Sequence, residues 1–185
     1  QPCKRRLPMT HYLIIPGLGN SGPAHWQTWF EKTVPNCKRI EQKDWDAPAL
    51  IDWLTVIDHA VTALDPSSVV LIGHSLGCST IAHWAKHSGK IIKGAMLVAP
   101  SDIEAPVYTF PATGFTPIPL EKIPFKTIVV ASNNDVWVSA KRARYFADCW
   151  GSEYINIGDA GHINADAGFG QWEEGISILK SFKAA

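Results

Sequence analysis

The stretch Val69-Val70-Leu71-Ile72-Gly73-His74-Ser75-Leu76-Gly77 decides the reading of this 185-residue chain. An aliphatic, strand-like run enters a G-x-S-x-G pentapeptide, and a helical pattern from Leu76 to His87 leaves it. Strand, sharp turn and helix form the setting of a nucleophile elbow. There a serine stands on a turn too tight for side chains at the flanking positions, which accounts for Gly73 and Gly77. The turn lifts the Ser75 hydroxyl above a sheet edge. It also aims the Leu76 N–H and the positive end of the following helix at the same space, where a developing oxyanion is stabilised.

Working outward, the runs His11 to Ile15, Ala95 to Ala99 and Thr127 to Ala131 are as apolar as the run before the elbow. Strands look like this when helices cover both faces of a parallel sheet. Lys38 to Glu41 and Glu153 to Ile157 are weaker strand candidates. Helical spacing marks Ala24 to Thr33, Ala49 to Leu64, Ala140 to Trp150 and Trp172 to Phe182. In the second, Ile51, Leu54, Ile57, Val61 and Leu64 mark one buried face, and Asp65-Pro66 stops the helix. This alternation predicts an α/β fold with a doubly wound, mostly parallel sheet of about six strands. The irregular segment Pro100 to Pro124, with six prolines plus Tyr108, Phe110 and Phe115, should hang over the carboxyl edge of that sheet. It reads either as a plain crossover loop or as a wall of a pocket.

A serine hydroxyl is a weak nucleophile until a base takes its proton. In an elbow fold the partners follow in the order acid, then histidine, at later strand ends. Asp135, in Ser132-Asn133-Asn134-Asp135, and His162, in Gly158-Asp159-Ala160-Gly161-His162, occupy those places. His162 is read as general base and then general acid, with Asp135 holding its tautomer. Asp102 is a competitor for the acid, and Asp159 reads as a turn residue. His11, His25 and His59 lack the strand-end position, while His74 is fixed inside the elbow and is a candidate to line the site. His83 and His87 have the i, i+4 spacing of a zinc pair, but Trp84 replaces the expected Glu and no third ligand is evident. They read as a solvated helix flank, and no metal is expected. The Leu18 N–H, in the loop Pro16 to Gly22, is the second candidate oxyanion donor beside Leu76.

Gly17-Leu18-Gly19-Asn20-Ser21-Gly22 also spells G-x-G-x-x-G, with Glu41 about twenty residues on. Pro23 opposes a dinucleotide site, because there the helix is already under way at the third glycine and needs its N–H groups. In the elbow reading, Pro23 opens the helix at Ala24.

Composition narrows the partners. Seventeen Lys and Arg balance seventeen Asp and Glu, with 46% hydrophobic residues, so one sizeable core is expected and a basic stripe for nucleic acid is not. No apolar run approaches the roughly 18 residues of a membrane span. Residues 1–8, including Lys4-Arg5-Arg6, read as an upstream extension or cloning remnant ahead of Met9, and 9–185 as the domain. The scattered Cys3, Cys37, Cys78 and Cys149, with no N-x-S/T site, favour a reducing, cytoplasmic setting.

With these residues in hand, the chain from Met9 to Phe182 resembles the small serine hydrolases related to retinoblastoma-binding protein 9 and the bacterial YdeN-like proteins. The resemblance rests on Pro16 to Trp26, Asp44-Trp45, Gly73 to Gly77, Ser132 to Asp135, and Gly161 to Ala165 followed by Gly168 to Trp172. It implies a compact α/β-hydrolase fold without a large cap, with Ser75, Asp135 and His162 matching the family's triad, and esterase-type activity. Val136 departs from the proline expected after the aspartate. Of the accompanying tryptophans, Trp26 and Trp172 read as core and Trp137 as the one facing the pocket.

Together these readings predict a serine hydrolase of small carboxylic esters that uses no cofactor. Amides or thioesters on the same triad, and a non-catalytic scaffold for a protein partner, are the alternatives.

Overall fold

The computed structural model describes residues 8–183. Cys3, Lys4-Arg5-Arg6 and the rest of the extension before Pro8 lie outside the described residues. Six strands form one sheet: β1 (His11–Ile15), β2 (Cys37–Arg39), β3 (Val69–His74), β4 (Gly94–Val98), β5 (Thr127–Ala131) and β6 (Glu153–Asn156). Every pairing is parallel, in the order β2-β1-β3-β4-β5-β6. The chain steps out from β1 to β2, then returns past β1 to begin β3, so the winding reverses between β1 and β3. Ligand crevices of open α/β sheets lie at such a switch point, beyond the carboxyl ends of the strands.

Alternation along each strand feeds two cores. Leu13, Ile15, Val69 and Leu71 meet α2 (Leu50–Thr62), α3 (Leu76–Ser88) and α4 (Ala140–Trp150) through Trp53, Ile57, Trp84, Phe146 and Trp150. On the opposite face Tyr12, Ile14, Val70 and Ile72 meet α1 (Trp26–Thr33) and α5 (Glu173–Lys180) through Trp26, Phe30, Trp172 and Leu179. Trp26, Trp53, Trp84 and Trp150 are fully buried, each stabilising the fold by roughly 2 kcal/mol or more relative to an exposed ring. The edge strands β2 and β6 are only partly buried, which explains their faint pattern.

Several details correct the sequence reading. Helix α1 begins at Trp26, not Ala24, because Gly22 to His25 form a turn and the His25 ring accepts the Gln27 N–H at 3.0 Å as cap. In α2 the inward stripe is Leu50, Trp53, Ile57 and Val61, and Ile51 is 72% exposed. The bulk of Trp53, whose indole N–H reaches the Lys43 carbonyl at 3.0 Å, rotates the face away from Ile51. Helix α5 starts one residue after Trp172, which occupies the cap position and packs its ring on Gly175. Strand β2 ends at Arg39 and β6 at Asn156, each short of the expected bounds.

The segment from Pro100 to Pro124 has two duties. Its second half is a buried crossover: Phe115, Ile118 and Ile123 enter the first core, and Thr113 bonds to Leu50 and Pro48. That crossing also corrects His83, which is buried rather than solvated, its Nε2 lying 2.7 Å from the Phe115 carbonyl. Among the described residues no cluster could hold a metal ion, and no helix is long and apolar enough to cross a membrane. Cys37, Cys78 and Cys149 are free thiols.

Helix α3 packs closest to β1 at Gly77, where a Cβ would stand 2.2 Å from the Ile15 carbonyl oxygen. Backbone cannot yield there as a side chain could. Gly77→Ala is expected to lose about 3 kcal/mol or more in urea unfolding. Gly22→Ala, with open space around the glycine, should stay within about 0.5 kcal/mol of the parent.

Candidate active site

Strand β3 runs into Ser75, which adopts φ 58° and ψ −123°. That region costs a non-glycine residue about 1–3 kcal/mol and persists only where the surroundings over-determine it. They do so here. A Cβ on Gly73 would lie 2.7 Å from Ile81, and one on Gly17, in the loop after β1, would lie 2.9 Å from the His74 oxygen and 3.1 Å from the Leu76 nitrogen. Backbone bonds from Ser75 N–H to Val98 and from Cys78 N–H to Ser75 pin the turn.

The strained turn aims Ser75 at two loops. Its Oγ lies 2.9 Å from His162 Nε2, and His162 Nδ1 lies 2.9 and 3.0 Å from the two Asp135 carboxylate oxygens. The Asp135 side chain is fully buried. A carboxylate only accepts, so Nδ1 carries the hydrogen and Nε2 faces Ser75 as acceptor. The residues before Asp135 hold the histidine loop: Asn134 accepts the Gly161 N–H at 2.7 Å, and Ser132 Oγ accepts the Ala160 N–H at 2.9 Å. Asp102 instead pairs with Arg142 at 3.2 Å, and Asp159 is exposed.

Leu76 opens α3, where a first-turn N–H has no helical partner. Among the described residues neither the Leu76 nor the Leu18 amide finds an acceptor, and Leu18 lines the same hollow as Ser75. Arg39 clamps the Leu18 loop. Its guanidinium donates to Asn20 Oδ1 at 2.9 Å, the Ser21 carbonyl at 2.6 Å, Thr28 at 2.6 Å and Glu31 at 2.7 Å.

The hollow measures about 290 Å³ and is walled on one side by Tyr108, Phe110 and Trp137, the last two with rings 5.3 Å apart. The first half of the Pro100–Pro124 segment supplies Tyr108 and Phe110, and the loop after β5 supplies Trp137. Three larger hollows, of about 620, 670 and 440 Å³, lie elsewhere, and none holds a serine bonded to a histidine. The literal dinucleotide reading fails locally, since Gly22 precedes a turn rather than a helix and Glu41 is exposed.

His74 is buried, with Nε2 2.9 Å from the His162 carbonyl. His25 and Ser101, which pattern reading did not select, also line the hollow. Gln27 is a further unselected residue. It is fully buried and donates to the Ile15 and Ile72 carbonyls, bracing β1 against β3 where the winding reverses. Only the position of Ser101 just past a strand end offered a sequence signal; the others act through distant partners. Burial holds the His74 pKa well below the usual imidazole range, helped by His162 and His25. Burial first, then Arg39 and His162, pushes His25 down to about 4. Both rings stay uncharged near neutrality, so neither places a positive charge beside His162.

The unfolded chain protonates His25 near pH 6.5, whereas the folded chain does so only near 4. Stability present above pH 6.5 is therefore lost as pH falls through that window. His25→Asn, which keeps a capping side chain, should flatten the pH dependence of urea-unfolding free energy between pH 6.5 and 4 by up to roughly 3 kcal/mol.

Comparison with known proteins follows the same lines. The model of a family described as serine hydrolase matches residues 12–181. A YdeN-like hydrolase from Pectobacterium atrosepticum is 35% identical, superposes with a TM-score of 0.83, and matches over 94% of this chain and 90% of its own. The ydeN gene product of Bacillus subtilis is 22% identical with a TM-score of 0.83, over 94% and 98% of the two chains. The α/β hydrolase MGS-M2, from a Medee basin deep-sea metagenome library, shares the fold at 11% identity and a TM-score of 0.74, over 97% and 92%. No curated protein gave a match. An α/β sheet wound about a strained G-x-S-x-G turn, in a sequence matched almost end to end, belongs to the serine hydrolase family.

Proposed function

We propose that this protein is a carboxylesterase-type serine hydrolase of small, uncharged esters, acting through Ser75, His162 and Asp135. The observation that carries the reading is the continuous hydrogen-bonded line from Asp135 through His162 to Ser75, at the wall of a hollow of about 290 Å³. His162 takes the Ser75 proton as Oγ attacks the ester carbonyl, and Asp135 stabilises the imidazolium. The Leu18 and Leu76 amides receive the oxyanion. His162 then returns the proton to the leaving alcohol, and water, activated by the same histidine, releases the acid.

The size of the hollow supports short acyl groups. No Lys, Arg, Asp or Glu is among its lining residues, which favours an uncharged ester over a thioester carrying phosphate groups. The free thiols of Cys37, Cys78 and Cys149 fit a reducing, cytoplasmic setting.

A fluorophosphonate probe tests the nucleophile. Wild type should label and Ser75→Ala should not, while His162→Ala and Asp135→Asn should lower kcat/KM for an ester by about ten-thousand-fold. A folded wild type that does not label would move the protein to the role of a binding scaffold. Substrate size is checked with p-nitrophenyl esters: acetate and butyrate should turn over well ahead of palmitate, and equal rates would remove the size claim.

A further inference from the structure

Ser75 Oγ has a second partner, the hydroxyl of Ser101, at 2.6 Å. Ser101 is 2% exposed, and the proton count across this contact is determined. Asp135 accepts from His162 Nδ1, so Nε2 is the acceptor for the single proton of Ser75. The contact between the two serines must then use the proton of Ser101. We infer that Ser101 is a positioning residue, donating a hydrogen bond to Ser75 Oγ and holding that hydroxyl on its line to His162. The inference rests on the proposed role of Ser75 as nucleophile.

Two further features of the fold deliver Ser101 to this place. Ala99, buried and not a glycine, takes φ 49° at the end of β4, with its N–H held by the Val130 carbonyl at 2.8 Å. This left-handed residue turns the chain back over the elbow, so that Ser101, two residues on, meets Ser75. The next residue ties the segment to the acid loop: the Asp102 N–H donates to the Trp137 carbonyl at 2.9 Å, and the Trp137 N–H donates to Asp135 Oδ1 at 2.9 Å. The nucleophile and the acid are thus joined by two routes, one through His162 and one through Ser101, Asp102 and Trp137.

In the reaction the Ser75 proton passes to His162 while Oγ bonds to the carbonyl carbon. Ser101 keeps its own proton throughout. Its O–H supports the charge that gathers on Oγ during the transfer, and it removes the rotamers that would swing Oγ away from Nε2.

The test compares wild type, Ser75→Ala, Ser101→Ala and Ser101→Thr for fluorophosphonate labelling rate, ester kcat and KM, and urea midpoint. Ser101→Ala should keep its midpoint and a KM within about twofold, while kcat and labelling rate fall about tenfold. Ser101→Thr, which restores the hydroxyl, should recover most of the labelling rate. A folded Ser101→Ala that labels within about twofold of wild type would overturn the inference. So would a folded Ser101→Thr as slow as the alanine variant. A wild type that fails to label overturns the reading of Ser75 itself, an outcome distinct from either.

Discussion

The constraint on which the rest depends is backbone contact between the elbow and the end of β1. Gly77 lies against the Ile15 carbonyl and Gly17 against His74 and Leu76, leaving no space for a methyl group at either position. That closeness brings the Leu18 loop beside the first turn of α3. It also withholds the room that Ser75 would need to relax its backbone. The energy stored at one residue is balanced by two aromatic-rich cores, each spread over several elements.

Strain is not confined to the serine. Four of the non-glycine residues with positive φ, namely Asn20, Ser75, Ala99 and Ile163, sit in the loops that follow β1, β3, β4 and β6. Ser75 and Ala99 turn the chain as it leaves the sheet and Asn20 and Ile163 turn it further along their loops, so that side chains from separate strand ends converge on one volume. Ile163 is β-branched and fully buried, the least comfortable residue type for this conformation. Its carbonyl accepts the Trp26 indole N–H at 2.8 Å, so a core tryptophan of α1 helps to hold the turn that presents His162.

How much of this was legible depended on whether the information was local. The central strands announce themselves because both faces are covered and nearly every side chain must be apolar. The elbow is legible because two glycines and a serine are forced by one tight turn. The start of α1 and the face of α2 were misread because His25 and Trp53 find partners that no periodicity encodes. His83 was misread for the same reason: its partner is the carbonyl of Phe115, 32 residues on. Ser101, His25, Gln27 and Arg39 belong to the site only through the strand order β2-β1-β3-β4, which a linear pattern of residues suggests but does not spell out residue by residue.

The aromatic wall has a consequence for how such a molecule changes over generations. Phe110 is 40% exposed, and neighbouring Val107 and Val136 are 56% and 73% exposed. None of the three belongs to either core. Phe110 lines the hollow, and Val107 and Val136 adjoin the lining residues Tyr108 and Trp137 in sequence. Replacements there change the surroundings of the hollow while leaving the glycine contacts and the sheet untouched. Selection on what enters the hollow can therefore act on the rim alone, and substrate preference can diversify among descendants without eroding the folding of the scaffold that carries it.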